Sequence, residues 1–190
     1  IRMMDEESVS VSGEAIMELS VSLMEGWNLI SGFSTSLNVQ NIIDPNDLII
    51  SGTIYEFEDG YVEAGSIDPG HGYWLRSSGE GVITLSSSST SGRVRTLDPP
   101  VHLNRLTFNN ASLYFGRDNH EENMLSYSLP PRPPSGAMDI RFSDDTKLCT
   151  GEDCVIELTD PSGVTRLSHE VKPGSDGSAW ILVNESTGEE

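Results

Sequence analysis

Apolar and polar residues alternate with a period of two along much of this chain. In residues 17–23, Met17, Leu19, Val21 and Leu23 are separated by Glu18, Ser20 and Ser22, and residues 8–12 repeat the pattern with Val9 and Val11 between serines. Side chains of a strand point to opposite faces in turn, so each stretch predicts a strand with one wet face. Strand-length segments follow at 27–30, 48–50, 53–57, 61–64, 72–76 and 82–85, separated by Gly, Pro, Asp and Asn. Such spacing predicts a compact antiparallel barrel or sandwich. A helical stripe is offered only by residues 36–43, where Leu37, Val39, Ile42 and Ile43 could cover an open sheet end before Asp44-Pro45 stops the turn.

The serine tract at 86–91 and the later Asp98-Pro99-Pro100 interrupt the strand pattern, as a hydrophilic and then stiff linker would. Beyond them the pattern resumes at 103–109, 112–116, 137–142, 154–158, 166–171 and 179–183. The expected fold is all-β: two consecutive small antiparallel β-sandwich or barrel domains with at most one short helix. Residues 1–14 would be an N-terminal extension, 15–86 the first module, 87–100 the linker and 101–190 the second sandwich. The chain starts at Ile1 and stops at Glu190 soon after a strand-like run, so both ends are expected to be cuts from a longer polypeptide, with the second sandwich truncated.

Charge narrows the partners. Eleven Lys and Arg stand against 30 Asp and Glu, a formal charge of −19, which repels phosphate backbones and anionic membrane surfaces. Nucleic-acid binding is not expected, and no apolar run reaches the roughly 18 residues of a membrane helix.

Cys149 and Cys154 flank Thr-Gly-Glu-Asp. A disulfide closing a hairpin fits that turn and would mark an oxidising compartment; the competing reading is a free thiol pair. Two cysteines without spaced histidines are too sparse for structural zinc. The run Leu129-Pro130-Pro131-Arg132-Pro133-Pro134 is poor in amide donors and cannot pair inside a sheet. It reads as a stiff crossover, or as a polyproline ligand for an aromatic groove.

Three segments together suggest a family: Gly26-Trp27-Asn28-Leu29-Ile30-Ser31, Gly52-Thr53-Ile54-Tyr55-Glu56-Phe57-Glu58-Asp59-Gly60-Tyr61, and Pro69-Gly70-His71-Gly72-Tyr73-Trp74-Leu75-Arg76. They resemble accessory β-modules of large secreted and surface proteins of the Bacteroidetes and related phyla, in the region before the C-terminal sorting domain of type IX secretion cargo. Leu113-Tyr114-Phe115-Gly116 and the segment 127–142 resemble the region after the first module in such proteins. The resemblance implies secretion and surface exposure and carries no catalytic residue.

The residues themselves supply no catalytic set. His71, His102, His120 and His169 form no HExxH, and no Gly-x-Ser-x-Gly elbow occurs. Calcium could be held by Asp118, Asn119, Glu121, Glu122 and Asn123, or by Asp144 and Asp145, or by Glu152 and Asp153, but no stretch matches a calcium loop, and solvated acidic turns explain them. No cofactor is expected. The first module is rich in aromatics, and alternation must send Tyr73 and Trp74 to opposite faces. Trp27 and one of that pair are expected in the core, and the candidate ligand-contact rings are Tyr61, Tyr73 and Trp74. The expected protein is a non-catalytic spacer, display or assembly module of a larger extracellular or cell-surface protein, whose partners are other domains of its parent or a surface assembly. Its rivals are a carbohydrate-binding module and an accessory fragment of a secreted enzyme.

Overall fold

A computed structural model describes residues 12–88, 94, 97, 102–116, 123–160, 163, 165–172 and 179–184. The strand expected at 8–12 apart from Ser12, most of the linker, His120 and the candidate calcium ligands Asp118, Asn119, Glu121 and Glu122 lie outside these. The described residues are mostly β, and the chain divides into two compact units, Ile1–Phe57 with Glu63–Thr96, and Glu58–Val62 with Leu97–Glu190.

In the first unit β1 (Glu18–Leu23) pairs antiparallel with β8 (Gly81–Ser86). A sheet has the order β2-β7-β4, from β2 (Gly26–Ser31), β7 (Gly72–Ser77) and β4 (Ile49–Phe57), and the short strand β5 (Tyr61–Glu63) starts in the segment Glu58–Val62 of the second unit. The short strands β3 (Leu37–Asn38) and β6 (Ser66–Ile67) form a third ladder. Ser51-Gly52, which reads in sequence as a break between two strands, is instead an irregularity inside β4: the register against β7 shifts between Ile49 and Ile54, and Gly52 takes φ 74°. Glycine has no Cβ to oppose that conformation, so the strand kinks and continues. Thr53 secures the kink by donating its hydroxyl to the Ile50 carbonyl at 2.6 Å.

The expected helical turn at 36–43 contracts to one 3₁₀ turn, Val39–Asn41, capped by the Asn38 side chain, which accepts from the Gln40 amide. Its apolar residues still close the core, since Leu37, Val39 and Ile42 are buried with Ile30, Ile54, Tyr73, Leu75, Ile83 and Leu85.

In the second unit β9 (Asn104–Phe108) and β10 (Ala111–Phe115) make a hairpin, whose two-residue turn Asn109-Asn110 starts at φ 52°, the left-handed conformation such turns need. The sheet order is β12-β10-β9-β14, with β12 (Leu148–Cys149) and β14 (Leu167–Glu170) outermost. The β10–β12 pair is parallel, which corrects the expectation of purely antiparallel sheets. A second ladder pairs β11 (Asp139–Phe142) with β13 (Ile156–Thr159). Both sheets feed one core of Leu106, Phe108, Leu113, Phe115, Ile140 and Phe142.

Two further expectations are corrected. A second 3₁₀ turn, Met124–Tyr127, is present, so the short helical turns among the described residues number two rather than at most one. Residues 179–183 form no strand; Trp180 instead sets its ring edge-on against Phe115, centroids 4.9 Å apart, and that aromatic contact anchors the segment without a ladder.

Candidate functional site

The sheet that β2, β7 and β4 form in the first unit has two different faces. Ile30 opposite Tyr73, Asn28 opposite Leu75, and Ile54 opposite Leu75 line the core side. Alternation places Trp27, Leu29, Trp74, Arg76 and Tyr55 on the other side. Leu29 stands opposite Trp74, and Trp74 opposite Tyr55, so one row crosses three strands. Trp27 stands opposite Arg76, whose guanidinium carbon lies 5.7 Å from the indole centroid. The Trp27 ring also meets Tyr55 at 6.1 Å, tilted by 55°. Exposure grades along this face from Tyr55 at 2% to Leu29 at 66%, with Trp27, Trp74 and Arg76 half-buried.

Of the predicted ligand-contact rings, Trp74 belongs to this face. Tyr73 is fully buried, so its candidacy is overturned: its ring joins the core, and its hydroxyl accepts the Asp68 amide at 2.8 Å. Burial pushes the Tyr73 phenol above its usual range, since desolvation disfavours the phenolate. Tyr61 is half-buried and donates its hydroxyl to the Pro131 carbonyl at 2.8 Å, which gives that polar handle a structural role within the second unit. Trp27 is corrected from core residue to outer-face residue. Leu29 and Arg76 escape sequence reading because a lone Leu or Arg carries no signal; only the cross-strand register assembles them beside the indoles.

The turn Asp68-Pro69-Gly70-His71 is built to hold its own shape. Hydrogen bonds from Ser36 and Ser66 keep the Asp68 carboxyl below its usual range, the Ser66 hydroxyl lying 2.8 Å from Oδ2. Gly32 sits so close that a Cβ there would lie 2.1 Å from the Asp68 carbonyl oxygen, and the Gly32 amide donates to the His71 carbonyl at 3.2 Å. The two glycine-bearing turns therefore lock onto one another. His71 is exposed.

A second polar centre surrounds Arg141, whose side chain is fully buried. Its Nε and Nη2 donate to the two Asp139 carboxylate oxygens at 2.7 and 2.8 Å. Its Nη1 reaches the Pro130 carbonyl at 3.0 Å and Asp145 Oδ1 at 3.1 Å. Burial works against the cation, but the bonds to Asp139 and then Asp145 outweigh it, and the guanidinium stays charged. Arg132 pairs with Asp145 at 3.4 Å and with Glu157. Asp145 Oδ1 is thus shared by two cations of the chain. Asn123 likewise commits its side-chain oxygen to the Leu125 amide. Among the described residues no three His, Cys, Asp or Glu side chains are placed to hold a metal.

The proline run takes no part in a ladder. Its prolines cannot donate, and the run is held by the Leu129 amide on the Asp145 carbonyl at 2.9 Å, by Arg141 at the Pro130 carbonyl and by Tyr61 at the Pro131 carbonyl. Cys149 and Cys154 stand at disulfide distance, 2.09 Å between sulfurs and 5.9 Å between Cα atoms. The bond closes no hairpin, because β12 pairs with β10 while β13 pairs with β11; it joins the end of one sheet's outer strand to the approach to the other's.

Comparison of the chain with protein-family models, with curated proteins and with solved structures finds no match. The geometry offers an aromatic sheet face able to stack on a ring or an apolar chain, and two polar centres whose bonding serves turns and a crossover.

Proposed function

We propose that this chain is a non-catalytic structural, display or assembly module of a larger extracellular or cell-surface protein, built as two consecutive small β-domains. The observation that carries the reading is the Arg141 centre: this deeply buried ionic group directs its donors to Asp139, Asp145 and the Pro130 carbonyl, which is the work of a scaffold. The cysteine pair at disulfide distance and the charge of −19 support an oxidising, solvent-exposed setting. The resemblance of the three glycine-led segments to accessory modules of type IX secretion cargo supports the same setting. Material isolated from its native source and denatured without reductant is expected to show no free thiol; two free thiols would overturn the extracellular assignment.

A second reading is favoured by one specific feature. Leu29 at 66% exposure beside half-buried Trp27 and Trp74 gives the first unit a surface on which a sugar ring could stack. A glycan array with the wild type and with Trp74→Ala and Leu29→Ala separates the two readings. Binding that disappears in both variants replaces the spacer with a carbohydrate-binding module, and absence of binding at millimolar glycan removes that alternative.

A further inference from the structure

Strand β14 is the outermost strand of its sheet, and all four of its residues are exposed, Leu167 at 42%. Among the described residues nothing pairs on its far side. Such an edge presents a row of amides and carbonyls ready to accept another strand.

The hydrogen-bond phase of β14 follows from its first bond to β9. The Asn109 amide donates to the Arg166 carbonyl at 2.9 Å, and antiparallel pairing alternates from there. Ser168 and Glu170 therefore also direct their backbone groups toward β9, while Leu167 and His169 direct theirs outward. A strand added to this edge must bond through Leu167 and His169. Arg166, Ser168 and Glu170 share the face opposite Leu167 and His169.

We propose that β14 pairs antiparallel with β14 of a second copy of this chain, with Ser168 on the two-fold axis. In that register Leu167 exchanges backbone bonds with His169 of the second copy, and the symmetry supplies the same pair again. Arg166 then faces Glu170 of the second copy on both sides of the axis, so two ion pairs flank the dyad at the close, non-hydrogen-bonded positions. The neighbouring registers allowed by the phase are poorer. Centring on Leu167 sets Arg166 opposite Ser168 and forms no ion pair, whereas centring on His169 sets Arg166 opposite Lys172, two like charges. Charge complementarity thus selects one self-pairing.

The Glu170 carboxylate is already drawn onto that face by Arg105 at 2.9 Å and by Lys172, and a carboxylate has lone pairs for a further donor. This edge is mixed in charge within an acidic chain, which locally offsets the repulsion between two copies of net charge −19. The proposal stands apart from the extracellular reading, since an edge-strand dimer needs no particular compartment.

Sedimentation of the full chain at physiological ionic strength, where the screening length is about 8 Å, tests it. The wild type at about 0.1 mM is expected to approach twice its 20.7 kDa mass and to dissociate on dilution. His169→Pro removes an outward amide without touching the β9 ladder and is expected to weaken association at least about ten-fold. Arg166→Glu and Glu170→Arg are each expected to be monomeric, and an equimolar mixture of the two to dimerise. In the mixture one copy presents acidic side chains at both positions and the other presents basic side chains at both, so opposite charges meet on each side of the axis. Unchanged Trp180 fluorescence in a Trp27→Phe, Trp74→Phe background confirms that each variant is folded. A wild type that stays monomeric, a dimer indifferent to His169→Pro, or a mixture that does not associate overturns the proposal.

Discussion

Replacing Arg141 by Met isolates the contribution of the buried ionic centre in the second unit. Methionine fills a similar volume but leaves the Asp139 carboxylate and the Pro130 carbonyl without their donors. Stripping one partner from a buried ion pair costs about 3–5 kcal/mol, much of it the penalty on the charge left behind. The Asp139 side chain retains 12% exposure and that of Asp145 58%, so water can recover part of the loss, and the expected destabilisation lies near the lower bound, about 3 kcal/mol. Arg141→Lys keeps the charge but cannot reproduce the paired bonds to both Asp139 oxygens, and should lose about half as much. Trp180 reports on the second unit alone, so a Trp27→Phe, Trp74→Phe background read by fluorescence in urea follows that unit. With a urea dependence of about 1–2 kcal/mol per molar for a unit this size, the Met variant should move the midpoint down by roughly 2 M. A shift of less than about 0.5 M, corresponding to under 1 kcal/mol, would refute the view that the guanidinium organises the crossover.

Other consequences can be checked alongside. Gly32→Ala drives a methyl to 2.1 Å from the Asp68 carbonyl oxygen; backbone must shift, and a loss of about 3 kcal/mol or more, seen by thermal denaturation of the first unit, is expected, while a wild-type melting temperature would contradict the close approach. Cys149→Ser with Cys154→Ser opens a loop whose ends are five residues apart, and the chain-entropy relation gives a loss of about 2 kcal/mol in the second unit's stability to urea; a neutral result would mean that the bond leaves the unfolded chain unconstrained. Asp68 titrates below its ordinary value of 3.8, so its contribution is present above that pH and is lost as pH falls through the lower native value. Ser66→Ala should raise the Asp68 midpoint in a carboxyl-carbon NMR titration, and an unchanged or lower midpoint would discount the Ser66 bond.

Period-two patterning locates the strands of the first unit because each covers a continuous core with one face. It requires Tyr73 and Trp74 to part, and the structure puts Tyr73 inside and Trp74 outside. It misplaces Trp27, since size alone suggests burial, whereas the face is decided by the partner Arg76 on a strand 49 positions later. The short strands Ser66–Ile67 and Leu148–Cys149 escape it, having too few residues to show a period. Residues 179–183 carry the composition of a strand, yet Trp180 finds its partner ring in Phe115 and no ladder forms. The cysteine spacing indicates a bond but not its topology, because whether two neighbouring strands form a hairpin depends on their long-range partners. The sheet face bearing Leu29, Trp74 and Arg76 lies beyond sequence reading for the same reason.

The parallel pairing of β10 with β12 has a consequence for the order of events in folding. Tyr114 meets Leu148 across 34 steps of chain, whereas Cys149 and Cys154 are separated by five. Loop closure favours the shorter span, and a parallel partner cannot be delivered by a tight turn. The two thiols can therefore meet and oxidise in a chain whose β12 has not yet docked. Oxidation then acts as an early local staple that limits the conformations β12 and the approach to β13 must search, and an oxidised Cys149–Cys154 pair records the compartment the chain has passed through before it records a folded second unit.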